Sequence, residues 1–313
     1  MTDSTFTPDF DYAPAHPELL TLRAALKARD WAGVRALYDP AGWDARNLIA
    51  LDVSEQEGSE VVLREVVARD PDDLVAATML GMRLVEIGWR IRTGYRAQHV
   101  SADQFASFHA YLREAEQILI SVCARDPGQV SAWYERLPTA RGLQLGVSEA
   151  RRRYERLSEV APNFMPAQAQ LLQTLCPKWS GDFPTMHAFA AQCAQEAPGG
   201  SLNAVAVVEG HIEHWADLKA PEAGQYLADE AVRAEIRAAG ERSILHPDYQ
   251  RTAGWVRTMS TFALGYSLIG DWSAAKRCFL ELGPCGSRRF WEVLNGGAEA
   301  AFARNRAKAM EQG

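Results

Sequence analysis

The chain has 313 residues, of which 47% are hydrophobic and 23% charged, and its formal net charge is −7. That apolar content builds a folded core, and the acidic balance supplies no general attraction for nucleic acid or anionic lipid. No run of 18 apolar residues occurs, so no membrane span is expected; five cysteines without a C-x-x-C pair read as reduced, buried thiols of a cytoplasmic protein.

Residues 1–14 carry neither a basic start nor an apolar run, and they read as a short disordered acidic lead to a single helical domain over 15–313. Leu19, Leu22 and Leu26 then mark a helix from Pro17 to about Arg29, paired with a second from Asp30 to Tyr38. Asp39-Pro40-Ala41-Gly42 breaks that hairpin, and Trp43–Val53 with Ser59–Arg69 forms the next. After Pro71, Leu74, Ala77, Leu80, Leu84 and Ile87 lie on one face of a helix that runs on towards Tyr95, longer than its neighbours. Ser101 with Gln104 three residues later is a capping box opening the following helix.

Val130, Trp133, Leu137 and Leu143 set a further helix, which Pro138 is expected to kink or interrupt because proline lacks the amide donor. Gly146 turns the chain into Ala150–Val160, and Ala167–Cys176 follows, stopped by Pro177. Asp182 and Pro184 suit the first turn of a helix reaching Glu196. Leu202, Val205, Val208, Ile212 and Trp215 form another stripe, and Pro221–Arg242 reads as a weaker helix or pair of helices. Arg151-Arg152-Arg153 falls on consecutive helical positions about 100° apart, so it reads as a solvated face rather than one basic patch.

A repeated ladder runs through these helices. Ser59, Leu63, Val66 and Pro71 share their four-, three- and five-residue steps with Ala115, Leu119, Val122 and Pro127. The same steps recur at Ala150, Tyr154, Leu157 and Pro162, and at Met186, Ala190, Cys193 and Pro198. The first three members of each set share a helical face and the proline stops the helix. Pro127, Pro162 and Pro198 are spaced by 35 and 36 residues, the period of stacked helical hairpins; Pro71 to Pro127 spans 56, one repeat plus the elongated helix around Trp89. Residues 259–279 restate a whole hairpin: Met259, Phe262, Ala263, Tyr266, Gly270, Asp271, Trp272, Ala275 and Phe279 alternate large and small side chains about a Gly-Asp turn.

On these residues the chain resembles the tetratricopeptide repeat family, best over 59–198 and 256–283. The stretch Pro127–Leu145 with Cys176-Pro177-Lys178-Trp179 is also similar to uncharacterised bacterial repeat proteins carrying a domain of unknown function. The tetratricopeptide resemblance implies an all-α, right-handed α-solenoid of about six stacked hairpins, acting as a non-catalytic protein–protein scaffold that takes a partner segment in its concave groove. Counting from the repeat register, the groove-facing positions are Thr78, Met82, Tyr134, Arg141, Gln170, Gln173, Glu209, Glu213, Arg257 and Ser260.

No catalytic residues are expected. The sequence contains neither a Gly-x-Ser-x-Gly elbow nor a phosphate-cradling glycine loop. His211 and His214, with Glu209 and Glu213 on the same helix, are the best candidate metal ligands. Zinc helices space their histidines by four and draw a third ligand from elsewhere, so no cofactor is expected. The alternative to a scaffold is an enzyme or a small-molecule- or metal-binding protein, using an inter-helix pocket near Trp89, in the 85–102 region, or near His211 and His214. Trp133, Trp215, Trp255 and Trp272 fall on apolar stripes and are expected in the core, with Trp89 and Trp179 at a functional edge.

Overall fold

The computed structural model describes residues 6–94 and 99–313. Among them are sixteen α-helices, and the only β pairing is a single-residue bridge, Asp9 to Cys285. The chain forms two compact units: Pro17–Thr174, the N-terminal unit, and Leu175–Gly313 with the residues up to His16, the C-terminal unit. No helix among the described residues is long and apolar enough to cross a membrane.

The N-terminal unit contains α1 (Glu18–Lys27), α2 (Trp31–Tyr38), α3 (Trp43–Glu55), α4 (Ser59–Arg69), α5 (Leu74–Arg92), α6 (Ala102–Arg125), α7 (Val130–Gly142) and α8 (Val147–Val160), and α9 (Met165–Leu175) closes it. Helix α5 packs on α3, α4, α6 and α7, and α7 packs on α3, α6 and α8. Thus α3, α5 and α7 contact one another directly, while α4, α6 and α8 each flank them. Asp73 caps α5 by accepting from the Val75 and Ala76 amides, and Ser101 and Gln104 form the expected capping box on α6. The Gln104 amide also reaches back to the Ile91 carbonyl at 2.8 Å, tying the start of α6 to the end of α5. Helix α5 ends at Arg92, where Thr93 takes φ +66° and breaks the helical run; Tyr95 lies outside the described residues.

The C-terminal unit contains α10 (Phe183–Glu196), α11 (Val205–Asp217), α12 (Glu222–Ala228), α13 (Glu230–Arg242), α14 (Trp255–Leu268), α15 (Trp272–Leu282) and α16 (Gly297–Gln312). Asp182 caps α10 through the Thr185 amide, and Asp271 caps α15 through the Ala274 amide. The α14–α15 hairpin matches the size pattern of residues 259–279: Ala263 and Ala275 are fully buried at its contact, with Phe262, Tyr266 and Phe279 around them, and Gly270 turns the chain at φ +75°. That positive φ is the conformation a side chain disfavours.

The ladder translates directly into burial. Eleven of its twelve helical members are buried, with Tyr154 half-buried. Helices α4, α6, α8 and α10 each end two residues before their proline. All five cysteines are buried free thiols.

Four expectations are corrected. Residues 6–14 do not form a disordered lead: the Asp9 amide donates to Pro284 O at 2.7 Å, Gly286 N donates to Asp9 O, and Phe6 and Phe10 pack against Phe302. Three aromatic side chains offset the low hydrophobicity of that stretch. Pro138 does not interrupt helix α7, which continues through it to Gly142. Proline removes one donor, and near-complete burial of the helix by its neighbours outweighs that loss. Arg153 is not on a solvated face but 3% exposed among charged partners. Trp215 and Trp272 are half-buried, unlike the buried Trp133 and Trp255.

Gly142 shows how tightly the N-terminal unit is packed. A Cβ there would sit 2.4 Å from Leu112 Cδ1 and 2.7 Å from Phe108 Cζ, both on side chains with no free space to retreat into. Gly142→Ala is therefore expected to destabilise the protein by about 1–3 kcal/mol in urea unfolding; an unchanged midpoint would show that α6 yields.

Candidate functional site

The positions counted as groove-facing separate into contacts within each unit. In the N-terminal unit Thr78 and Met82 on α5 are each 1% exposed, and the Thr78 hydroxyl donates to the Leu74 carbonyl of its own helix. Tyr134 on α7 is buried as well. These three are not open to a ligand, because α5 and α7 have neighbours on both sides. Arg141 Nη2 donates to Gln170 Oε1 at 3.0 Å, Gln170 Nε2 donates to Tyr134 Oη at 3.3 Å, and the Arg141 guanidinium lies 5.4 Å from the Trp89 ring centroid. Sequence counting thus selected residues that meet: Tyr134, Arg141 and Gln170 form one hydrogen-bonded chain. Gln173 is half-buried one turn further along α9.

Trp89 packs edge-on against Phe108 at 4.8 Å and lies beside Gly142. Arg92 lies over the same indole at 5.9 Å. Two guanidiniums on one ring make a cationic, aromatic spot at the C-terminal end of α5, where the helix dipole favours positive charge.

Glu135, next to Tyr134, was not singled out by sequence. It is 6% exposed, and its backbone carbonyl accepts from the Thr139 hydroxyl at 3.3 Å. Burial first, then the charge of Glu86 on α5, pushes this carboxyl up to about 8, against a smaller opposing pull from Arg141. Glu86 itself accepts from Arg90 Nε at 2.6 Å, and Arg90 also donates to the Glu55 carbonyl of α3.

In the C-terminal unit Glu209 on α11 is 1% exposed and pairs with Arg257 of α14, with Arg289 3.9 Å away. Glu213, one turn on, accepts from Lys178 at 2.6 Å. Ser260 is fully buried and its hydroxyl accepts from Trp291 Nε1 at 2.9 Å and from the Ser287 amide at 3.2 Å. Glu209, Arg257 and Ser260 therefore hold α11, α14 and the 287–291 turn together, a packing role where groove exposure is expected.

The histidine pair on α11 is part of a larger cluster. His187, one helical turn after Phe183 on α10, brings Nε2 to 3.0 Å from His214 Nδ1, and Phe183 stacks on the His214 ring at 3.8 Å. His211 is 4% exposed; Nδ1 lies 2.7 Å from Tyr226 Oη and Nε2 2.9 Å from Glu235 Oε2. An ionised carboxylate only accepts, so Nε2–H donates to Glu235 and Nδ1 accepts from the Tyr226 hydroxyl in the neutral ring. Four of the six imidazole nitrogens are thus engaged, with one another and with Tyr226 and Glu235. No group of three or more His, Cys, Asp or Glu among the described residues is placed to hold a metal ion. Burial pulls His187 and His211 down to about 4, with neighbouring imidazoles adding to it, and lowers His214 as well.

Tyr226 matters mechanically. Its helix, α12, has no buried residue, and the tyrosine ring lies 4.4 Å from His214 while its hydroxyl bonds His211. Tyr226→Phe is expected to cost about 1 kcal/mol and to raise amide exchange selectively in α12; equal protection in both proteins would count against this anchoring. Sequence spacing reached His211 and His214, which share a helix. His187, Tyr226 and Glu235 arrive from three other helices, and their separations of 24, 15 and 24 residues from His211 carry no period. No protein-family model matches the chain, and comparison with curated proteins returns no match.

Proposed function

We propose that the protein is a non-catalytic interaction scaffold built from tetratricopeptide-like hairpins, and that the N-terminal unit takes a partner segment along the face formed by α3, α5 and α7. The observation that carries this reading is the direct packing of those three helices on one another with α4, α6 and α8 at their flanks, the pattern of first and second helices in stacked hairpins. The regular ladder and the proline stops support it. The face presents Trp89, Glu86, Arg90, Arg141 and, from α9, Gln170 and Gln173, a mixture of aromatic, amide and both charge signs suited to reading a peptide.

Panning a displayed peptide library on the full-length protein tests this reading. Enriched peptides should compete with one another and lose at least tenfold in affinity with Glu86→Lys or Gln173→Glu, with an unchanged melting temperature. A failure to enrich any peptide over an unrelated helical control would overturn it. Arg141 is a poor choice of variant, since its guanidinium is bonded to Gln170 and stacked on Trp89.

A second reading, binding of a small molecule, is favoured by the convergence of His187, His211, His214, Tyr226 and Glu235 from four helices of the C-terminal unit. It expects a thermal shift with a small ligand or transition metal that His214→Ala removes. A protein that is metal-free as purified and unresponsive in such a screen excludes it.

A further inference from the structure

We propose that α16 and the 284–291 turn of the C-terminal unit form a recognition cradle for extended aromatic–acidic segments of a partner protein. Residues 6–12 fill this cradle as an intramolecular ligand, which the partner segment displaces. The site lies outside the α3–α5–α7 face and does not depend on the reading given for that face.

Residues 6–12, Phe-Thr-Pro-Asp-Phe-Asp-Tyr, sit on the unit as a peptide sits on its receptor. They form no helix, and one residue makes the backbone contact: the Asp9 amide donates to Pro284 O at 2.7 Å, and Asp9 O accepts from Gly286 N at 2.8 Å. This single-residue parallel pairing is the backbone signature of an extended ligand added to an edge. Phe6 and Phe10 flank it and meet the same ring, Phe302, one stacked at 6.2 Å and the other edge-on at 6.0 Å. The Arg306 guanidinium covers Phe6 at 3.9 Å and that of Arg288 covers Phe10 at 5.0 Å. The Tyr12 hydroxyl donates to Ser287 Oγ at 3.1 Å. Asp9 and Asp11 are exposed, and each carboxylate accepts the amide two residues on, at 2.9 and 3.0 Å. The acidic side chains therefore set the bend of the segment, and they give it a charge opposite to that of Arg288 and Arg306.

The floor of the cradle is built by the unit's own elements. Phe302 packs on Phe279 at 5.1 Å and on Trp291 at 4.9 Å, and those two rings meet at 6.0 Å. All three are fully buried, whereas Phe6 and Phe10 lie half-buried on top of them. Gly286 makes room for the ligand: a Cβ there would stand 2.9 Å from Phe10 Cε1 and 3.0 Å from Phe302 Cε2. Its backbone is outside the left-handed region, so the missing side chain serves the close approach of the rings and not a turn. A tethered ligand has to compete only against an effective concentration on the order of millimolar, so these few contacts suffice to seat it. An untethered segment that repeats the two aromatics four residues apart, with a carboxylate just before the second, meets the same contacts.

The probe is a fluorescein-labelled peptide of residues 6–14, with a version carrying serine for both phenylalanines as its control. In the full-length chain, Phe6→Ser with Phe10→Ser empties the cradle. This variant should keep a cooperative melting transition and bind the probe about tenfold or more tighter than the wild type, whose own segment competes. Adding Gly286→Val should remove that binding, Arg306→Glu should weaken it, and the serine peptide should not bind. A second route covers loss of folding in the emptied variant. A protease site inserted between His16 and Pro17 leaves the native segment seated; after cleavage it should dissociate on dilution, and the probe should take its place. A cleaved segment that never dissociates, or whose departure unfolds the unit, overturns the proposal, because the segment is then part of the core. Probe binding that is indifferent to Gly286→Val or to loss of both phenylalanines overturns it as well. A concentration-dependent dimer of the wild type that Phe10→Ser abolishes assigns the cradle to a second copy of this chain and overturns the external partner.

Discussion

Replacing Glu116 with alanine is expected to destabilise the N-terminal unit by on the order of 3–5 kcal/mol, the effect of stranding buried charges. Glu116 on α6 receives Arg136 of α7 at 3.0 Å and Arg153 of α8 at 2.8 Å, and its other oxygen accepts from the Thr139 hydroxyl at 2.8 Å. Arg153 also donates to the Arg136 carbonyl at 2.6 Å and to Glu149, and Arg136 stacks over Trp133 at 4.8 Å. One carboxylate therefore serves two guanidiniums from two further helices, and all three side chains are about nine-tenths buried or more. Removing it leaves two adjacent buried cations, of which Arg153 alone retains a second carboxylate. The control is a triple replacement of Glu116, Arg136 and Arg153 by leucine or methionine, which should recover most of the loss because well-packed apolar groups replace buried ion sets at little cost. Urea unfolding of the three proteins reads the result. If Glu116→Ala alone loses under about 1 kcal/mol, the network is hydrated and its geometry does not carry the packing of α6, α7 and α8.

That network also shows what periodicity reveals and what it hides. The ladder located α4, α6, α8 and α10 and their inward faces because apolar side chains at helical steps report one physical fact, burial of a stripe. Ala115 and Ala150, members of that ladder, are fully buried next to Glu116 and close to Arg153. The charged residues beside them looked like solvated surface because an isolated glutamate or arginine carries no mark of its partner. Their pairing is set by three helices meeting, at separations of 20 and 37 residues. The same reason explains the groove positions. Register counting found Arg141, Gln170 and Tyr134 together, yet missed Glu135 because it adjoins a buried tyrosine on a helix with no polar face. It also missed α16, an alanine-rich helix whose Phe302 gathers Phe6, Phe10, Phe279 and Trp291 from distant segments. A small apolar alphabet with weak contrast between faces leaves such a helix without a stripe to read.

The two units are expected to respond to pH in opposite directions. In the C-terminal unit His187 and His211 titrate near 4 when folded, against 6.5 when exposed, so the unfolded chain binds more protons between those values. Their contribution is intact above about pH 6.5 and is lost as pH falls towards 4. Asp217 and Glu235 favour the charged imidazoles, but burial and mutual repulsion prevail. The loss is on the order of 2–3 kcal/mol for His211, and less for the half-buried His187. Protonating both rings of the His187–His214 pair also sets two N–H donors head to head across 3.0 Å, which breaks that contact and loosens α10 from α11. In the N-terminal unit Glu135 has the reverse sign. Its folded value of about 8 lies above the ordinary 4.5, so the folded state binds the extra proton. Its stability contribution is complete below about pH 4.5 and is lost as pH rises to 8, a change on the order of 4 kcal/mol. Amide exchange read separately in α7 and α11, corrected for intrinsic rates, distinguishes the two. Protection in α11 should fall from pH 6.5 to 4.5 while that in α7 rises, and Glu135→Gln should flatten the α7 response alone. Parallel loss of protection in both helices on acidification would show that another set of groups controls the N-terminal unit.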